Sequence, residues 1–228
     1  VRSILGRIPS LGTVYQIDKE EWTICKKDYV EKINSLLEQQ LLTKTEASWE
    51  KSFVRSMDLG VFYKSTIYAL GGEEPPYITV NMTHMGTRRQ GAWGRYVNFY
   101  YAYTAIGQRK KGYSGGLHRF LEELWLKSGL DRIKSKVASY GGFRLHRGLG
   151  HQFWGLDEKK ELVIDSPLVN WSSTRAFPRG TTPRYARGVT ESLSPYTPQQ
   201  IVHYLTGGDC SYRISKEEAL SLYPGTKL

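Results

Sequence analysis

Arg109-Lys110-Lys111-Gly112-Tyr113-Ser114-Gly115-Gly116-Leu117 lies between an aromatic run, Arg95 to Ala105, and a stretch in which Leu117, Phe120, Leu121, Leu124 and Trp125 fall at i, i+3, i+4, i+7 and i+8. The second pattern is one apolar face of a helix. The first carries aromatic residues on both alternating faces, which predicts a strand covered on both sides. Between them, three glycines let the backbone come close to a ligand, and the N–H groups of the first helical turn converge. Arg109, Lys110 and Lys111 add positive charge where the helix dipole already favours an anion. The stretch therefore reads as a phosphate cradle. Gly129 supplies a helix stop, and Arg132 to Ser139 alternates as a strand that would return parallel to the aromatic one through a helical crossover. Strand, loop, helix and strand make a βαβ unit, with the ligand at the carboxyl end of its first strand.

Toward the amino terminus the period is two. Val61 to Ala69 alternates, Gly71 to Pro76 forms a turn, and Tyr77 to His84 makes a second strand, so these and the aromatic strand predict an antiparallel meander. Asp28 to Met57 is helical in pattern: Tyr29, Ile33, Leu36, Leu37, Leu41 and Leu42 recur near helical spacing, and Trp49, Phe53 and Val54 continue it after a polar break at Thr43 to Glu46. Two consecutive helices are expected, with Asp28 capping the first. Val1 to Asp18 reads as an irregular lead-in, followed by a short strand around Trp22 to Lys26.

On the other side, Phe143 to Leu149 is a short helical stretch, Phe153-Trp154-Gly155 an edge, Asp157 to Lys160 a charged turn, and Glu161 to Asp165 a strand. Trp171 to Arg187 has no acidic residue and interleaves Arg175, Arg179, Arg184 and Arg187 with Trp171, Phe177 and Tyr185, which makes it a basic aromatic loop. Thr197-Pro198 opens a helix running to Leu205, and Ser215 to Glu218 has capping-box spacing before a last short helix.

A chain of 228 residues is ample for a core, and 39% hydrophobic with 24% charged residues is globular composition rather than disorder. The net charge of +10 favours a polyanionic partner, DNA or RNA, or an anionic cofactor, beside the plain alternative of a solvated basic surface. Cys25 and Cys210 lie far apart without metal-ligand spacing, so no metal site or disulfide framework is expected and the expected setting is reducing and cytoplasmic. No apolar run approaches a membrane span, no signal-peptide pattern opens the chain, and membrane association is not expected.

In this order the run from Tyr96 to Leu168 resembles the acyl-CoA-binding core of the GNAT superfamily of N-acetyltransferases. Members show a strand, an Arg/Gln-x-x-Gly-x-Gly/Ala loop, a long helix, a strand, and a short helix ending in a Tyr-x-x-x-Gly-Phe-like segment before the last hairpin. Arg109-Lys110-Lys111-Gly112-Tyr113-Ser114 stands for the loop, and Leu145-His146-Arg147-Gly148-Leu149-Gly150-His151 for the later segment. Ser114 replaces the usual Gly or Ala, His146 stands where many members carry a tyrosine acid, and His151 where phenylalanine is usual.

The resemblance implies an α/β fold with a mixed, twisted sheet flanked by helices, residues 1–168 forming the core and 169–228 a C-terminal extension. It implies acetyl-CoA or another acyl-CoA as donor. Arg109 and the segment Lys110, Lys111, Gly112, Tyr113, Ser114 and Gly115 would hold its pyrophosphate, and Thr104, Ala105 and Ile106 would pair with its pantetheine arm. An amine would attack the thioester directly. His146 is the candidate acid for the leaving thiolate, with a partly exposed helix histidine as the alternative; Glu73, Glu74 and His84 are candidate bases. Tyr101 and Tyr103 would line the acceptor channel or pack within the sheet, and Arg88, Arg89, Arg175, Arg179 and Arg184 would hold a nucleic acid. The expected activity is N-acyl transfer to an amine of a nucleic acid or modified base. A catalytically inactive nucleic-acid-binding protein, and an acetyltransferase acting on a protein or small-molecule amine, are the alternatives.

Overall fold

A computed structural model describes residues 2–86, 95–168 and 195–227. In chain order the elements are β1 (Ser3–Ile8), β2 (Gly12–Ile17), α1 (Lys19–Glu38), α2 (Lys44–Ser56), α3 (Asp58–Phe62), β3 (Thr66–Gly71), β4 (Thr79–Gly86), β5 (Tyr96–Thr104), α4 (Tyr113–Lys127), β6 (Arg132–Val137), α5 (Tyr140–Gly148), β7 (Phe153–Leu156), β8 (Leu162–Pro167), α6 (Pro198–Thr206) and α7 (Lys216–Leu222). The strands order as β1-β2-β3-β4-β5-β6-β8-β7 in one mixed sheet flanked by helices. From β5 onward the succession of elements is the one the resemblance implies. Among the described residues no helix is long and apolar enough to cross a membrane.

The chain divides into two compact units, Val1–Met85 with Asn98–Leu124, and Gly86–Val97 with Trp125–Leu228. In the first unit, the expected irregular lead-in is instead a hairpin. β1 pairs antiparallel with β2, and β2 with β3. Gly6 and Gly12 belong to these strands, and Ser10 at φ 66° reverses the chain between them. The expected strand at Trp22 to Lys26 lies within α1, whose cap is Asp18 rather than Asp28; its side chain accepts from the Glu21 N–H at 2.9 Å. Trp22, Cys25, Tyr29 and Ile33 form its buried face. The polar break opens α2 as a full capping box, Thr43 and Glu46 each satisfying the other's backbone N–H. β3 begins at Thr66, later than the expected Val61, because Val61 belongs to α3 and Lys64 at φ 55° turns the chain before the strand.

Two faces of this unit's sheet can be told apart by pairing. Tyr15, Ile17, Ile67, Ala69, Val80 and Met82 share a core with Trp22, Tyr29 and Ile33 of α1 and Ala47 and Val54 of α2. Val14 and its partner Gly6 point the other way. A Cβ on Gly6 would lie 2.9 Å from the Phe120 ring of α4, so α4 covers that second face and needs glycine there. Phe99 of β5 meets His118 of α4 with ring centroids 5.0 Å apart, whereas Tyr101 and Tyr103 pack on Phe53 of α2. Residues 99 and 101 would share a face in a regular strand. β5 therefore breaks its alternation between Phe99 and Tyr101.

In the second unit β6 pairs with β8 and β8 with β7, all antiparallel. β6 ends at Val137 because Ser139 leaves the strand to cap α5, accepting from the Gly142 N–H. Helices α6 and α7, expected as part of an extension, contribute to this unit's own core: Ile201, Tyr204 and Leu205 pack with Val137, Phe143, Phe153, Leu162 and Ile164. Arg147 anchors the terminal turn by donating to the Leu222 carbonyl and lying 4.9 Å over the Tyr223 ring.

Candidate active site

The loop from β5 to α4 folds through three left-handed residues, Gly107 at φ 85°, Lys110 at 64° and Gly112 at 82°. A left-handed residue beside a right-handed one is the backbone pattern from which anion nests are built. α4 follows at once, with the Gly116 N–H donating to the Gly112 carbonyl at 2.8 Å. Apart from the adjoining chain, no heavy atom lies within 4 Å of where a Cβ on Gly112 or Gly115 would stand, so the space before both is open. Lys110 and Lys111 are exposed at the rim, Lys111 beside the Gln108 amide oxygen at 3.1 Å.

Arg109 is arranged differently from its neighbours. Both of its terminal nitrogens donate to the Glu50 carboxylate of α2 at 2.7 Å, its Nε donates to the Thr104 carbonyl at 3.0 Å, and its guanidinium lies 5.5 Å over the Tyr103 ring. The Glu50 hydrogen bonds hold its pKa above the ordinary arginine value. Its charge is thus matched inside the fold. It acts first as a brace joining the loop to α2 and to the end of β5, and leaves the outward charge to the two lysines.

The end of β5 is equally committed on its β4 side. The Ala105 N–H donates to the Ile78 carbonyl at 2.9 Å, Thr104 Oγ1 to Thr79 Oγ1 at 3.1 Å, and Thr79 Oγ1 to the Tyr103 carbonyl at 2.9 Å. Ile106 packs against the α1–α2 core. Tyr103 is a buried packing residue, with its ring 4.9 Å from Tyr29, and burial pushes its hydroxyl well above the ordinary range. Tyr101 is half-buried beside Phe53. Cys25 sits in the same core, its thiol pushed up to about 12 by burial, so it supplies no thiolate near neutral pH.

His146 is 2% exposed on α5, and its Nδ1 lies 2.8 Å from Nδ1 of the buried His151. One ring must donate there and the other accept, so at most one of the two Nδ1 atoms holds a proton. His151, read from sequence only as a departure at a phenylalanine position, is therefore a partner of His146. Gly150 at φ 73° reverses the helix end, and the His151 N–H returns to the His146 carbonyl at 3.0 Å, which brings the two rings together. The candidate bases differ in kind. His84 is exposed on β4, and Glu74 is an 82% exposed side chain 3.7 Å from Arg2, which also donates to the Glu73 carbonyl. Arg88, Arg89, Arg175, Arg179 and Arg184 lie outside the described residues.

No family model matches the chain, and no curated protein matches it in sequence. Among solved structures it is similar to the PaiA N-acetyltransferase from Thermoplasma acidophilum in complex with coenzyme A, at 10% identity over 68% of this chain and 97% of that one, with a TM-score of 0.49. It is similar to a putative acetyltransferase of the GNAT family from Desulfovibrio desulfuricans at 8% identity, over 68% and 98% of the two chains, with a TM-score of 0.46. A structure described as histone acetyltransferase HPA2 and related acetyltransferase from Corynebacterium glutamicum aligns at 13% identity over 70% and 97%, with a TM-score of 0.44.

Proposed function

We propose that this chain is an acyl-CoA-dependent N-acyltransferase that binds the donor pyrophosphate on the loop from Gly107 to Gly116. The observation that carries the reading is the succession of left-handed residues Gly107, Lys110 and Gly112 running directly into α4, with open space before Gly112 and Gly115. Lys110 and Lys111 supply the charge. In the reaction an unprotonated amine attacks the thioester carbonyl, the C–N bond forms, the C–S bond breaks, and the thiolate takes a proton. The resemblance gives His146 the part of proton donor, and its bond to His151 supports this by fixing the ring. β5 carries no carboxylate, so the amine loses its proton to water or to a group on another element.

For the acceptor, the net charge of +10 and the arginines between Trp171 and Arg187 support an amine carried by a nucleic acid. The test is release of free CoA thiol from acetyl-CoA with RNA, DNA or protein acceptors, followed by mass spectrometry of nucleosides and peptides. Thiol release that depends on both the chain and one acceptor class is the expected result. Release no faster than without the chain, across all acceptors, rejects the enzymatic reading and leaves a binding protein.

A further inference from the structure

We propose that the outer face of α2, continued onto α3, binds single-stranded nucleic acid by stacking unpaired bases on exposed rings. The inference deepens the nucleic-acid reading of the acceptor and rests on it, but is independent of the donor loop. Ser48, Trp49, Ser52, Phe53 and Ser56 line a groove of about 350 Å³ along one stripe of α2. Trp49 was expected inside by its helical spacing, yet it is 69% exposed. Beyond the groove, Phe62 is 77% and Tyr63 63% exposed, their rings edge to face with centroids 5.4 Å apart.

Tyr101 borders the groove. It meets Phe53 edge to face with ring centroids 6.2 Å apart. Trp49 at the groove and Phe62 and Tyr63 beyond α2 thus present exposed rings along successive elements.

Its charge selects the partner. Arg55 follows Ser48 and Ser52 at i+7 and i+3, which sets it along the rim of the groove, and Lys64 follows Tyr63. The nearby carboxylates are engaged within the fold: Glu46 caps α2, Glu50 holds Arg109, and Asp58 pairs with Lys26 at 2.9 Å and accepts from the Trp22 indole at 3.0 Å. Exposed rings, serine hydroxyls and unmatched cations fit planar bases joined by phosphates. A second copy or an apolar peptide would be served by the rings alone, without the cations.

Fluorescence anisotropy with labelled oligouridylate, oligodeoxythymidylate and a duplex of equal length tests this. Trp49→Ala should weaken single-strand binding roughly tenfold or more, since stacking on one ring is worth that much, and Trp49→Phe should recover most of it. Arg55→Gln should lower the slope of log affinity against log salt by about one contact. Circular dichroism establishes that each variant is folded, and acetyl-CoA binding is measured on the same samples. Single strands that do not bind, duplex bound as tightly as single strand, or a folded Trp49→Ala with unchanged affinity each overturn the proposal. Self-association that Trp49→Ala abolishes, without nucleic-acid binding, overturns it in favour of a second copy. A wild type that binds acetyl-CoA but no single strand defeats this inference alone; the converse defeats the donor reading alone.

Discussion

Replacing Gly112 by alanine separates what the loop does for stability from what it does for a ligand. At φ 82° an L-residue costs about 1–2 kcal/mol. The smaller conformational entropy of the unfolded alanine chain returns about 0.5–1 kcal/mol, which leaves a net loss of about 1 kcal/mol. Beyond the adjoining residues no atom lies within 4 Å of the new methyl group, so no clash adds to it. For a chain of this size the loss lowers Tm by about 2–4 °C. Coenzyme A at a hundred times its Kd should raise the wild-type Tm by the equivalent of about 2.7 kcal/mol. The methyl group stands in the open space that the phosphates would enter, so a tenfold weaker Kd, about 1.4 kcal/mol, should remove about half of that rise. Lys110→Gly is the mirror case: it relieves a left-handed lysine at φ 64° and should gain about 0.5 kcal/mol, yet lose coenzyme A affinity with the ammonium. Calorimetry with and without coenzyme A measures both effects. An undiminished ligand-induced rise in Gly112→Ala would refute the assignment of the loop.

Three further perturbations address other parts of the account. Glu50→Gln breaks the paired 2.7 Å contacts to Arg109 and should cost about 1 kcal/mol by denaturant unfolding, since the arginine is partly in water; a change under about 0.2 kcal/mol would remove its role as a brace. Burial alone would raise the pKa of Asp157, but its bond to Lys136 at 2.7 Å and the Glu161 and Lys159 N–H groups hold it below the usual carboxylate value. That stabilisation is full above the unfolded pKa near 4 and lost as pH falls through the depressed folded value, so the advantage of wild type over Asp157→Asn should disappear in that acid window. An advantage constant from neutral pH down to acid would contradict the pairing. His146→Phe should reduce thiol release far more than acetyl-CoA affinity; equal turnover in steady-state kinetics would retire it as the acid.

Periodicity carried the parts of the fold that depend on neighbours in sequence. The apolar face from Leu117 to Trp125, the Thr197-Pro198 start and the capping spacing at Ser215 gave α4, α6 and α7 close to their observed places, because helix spacing and caps are local. The N-terminal hairpin was hidden because Gly6 is set by the approach of Phe120, a residue from the far side of the sheet. Trp49 shows the reverse error: helical spacing marks a face but does not say whether anything covers it.

The site was legible to the same degree. The glycine positions and cations of the loop are local and visible. The brace from Arg109 to Glu50 joins residues 59 apart, and no spacing rule announces it. His146 and His151 were both noticed, but as separate departures; their pairing depends on the left-handed turn at Gly150.

The central claim is that the Gly107 to Gly116 loop receives the phosphates of an acyl-CoA, and isothermal titration of acetyl-CoA into the intact chain tests it most directly. The account predicts saturable one-to-one binding that weakens tenfold or more in Gly112→Ala. Absence of binding at millimolar acetyl-CoA, or equal binding by the variant, would contradict it.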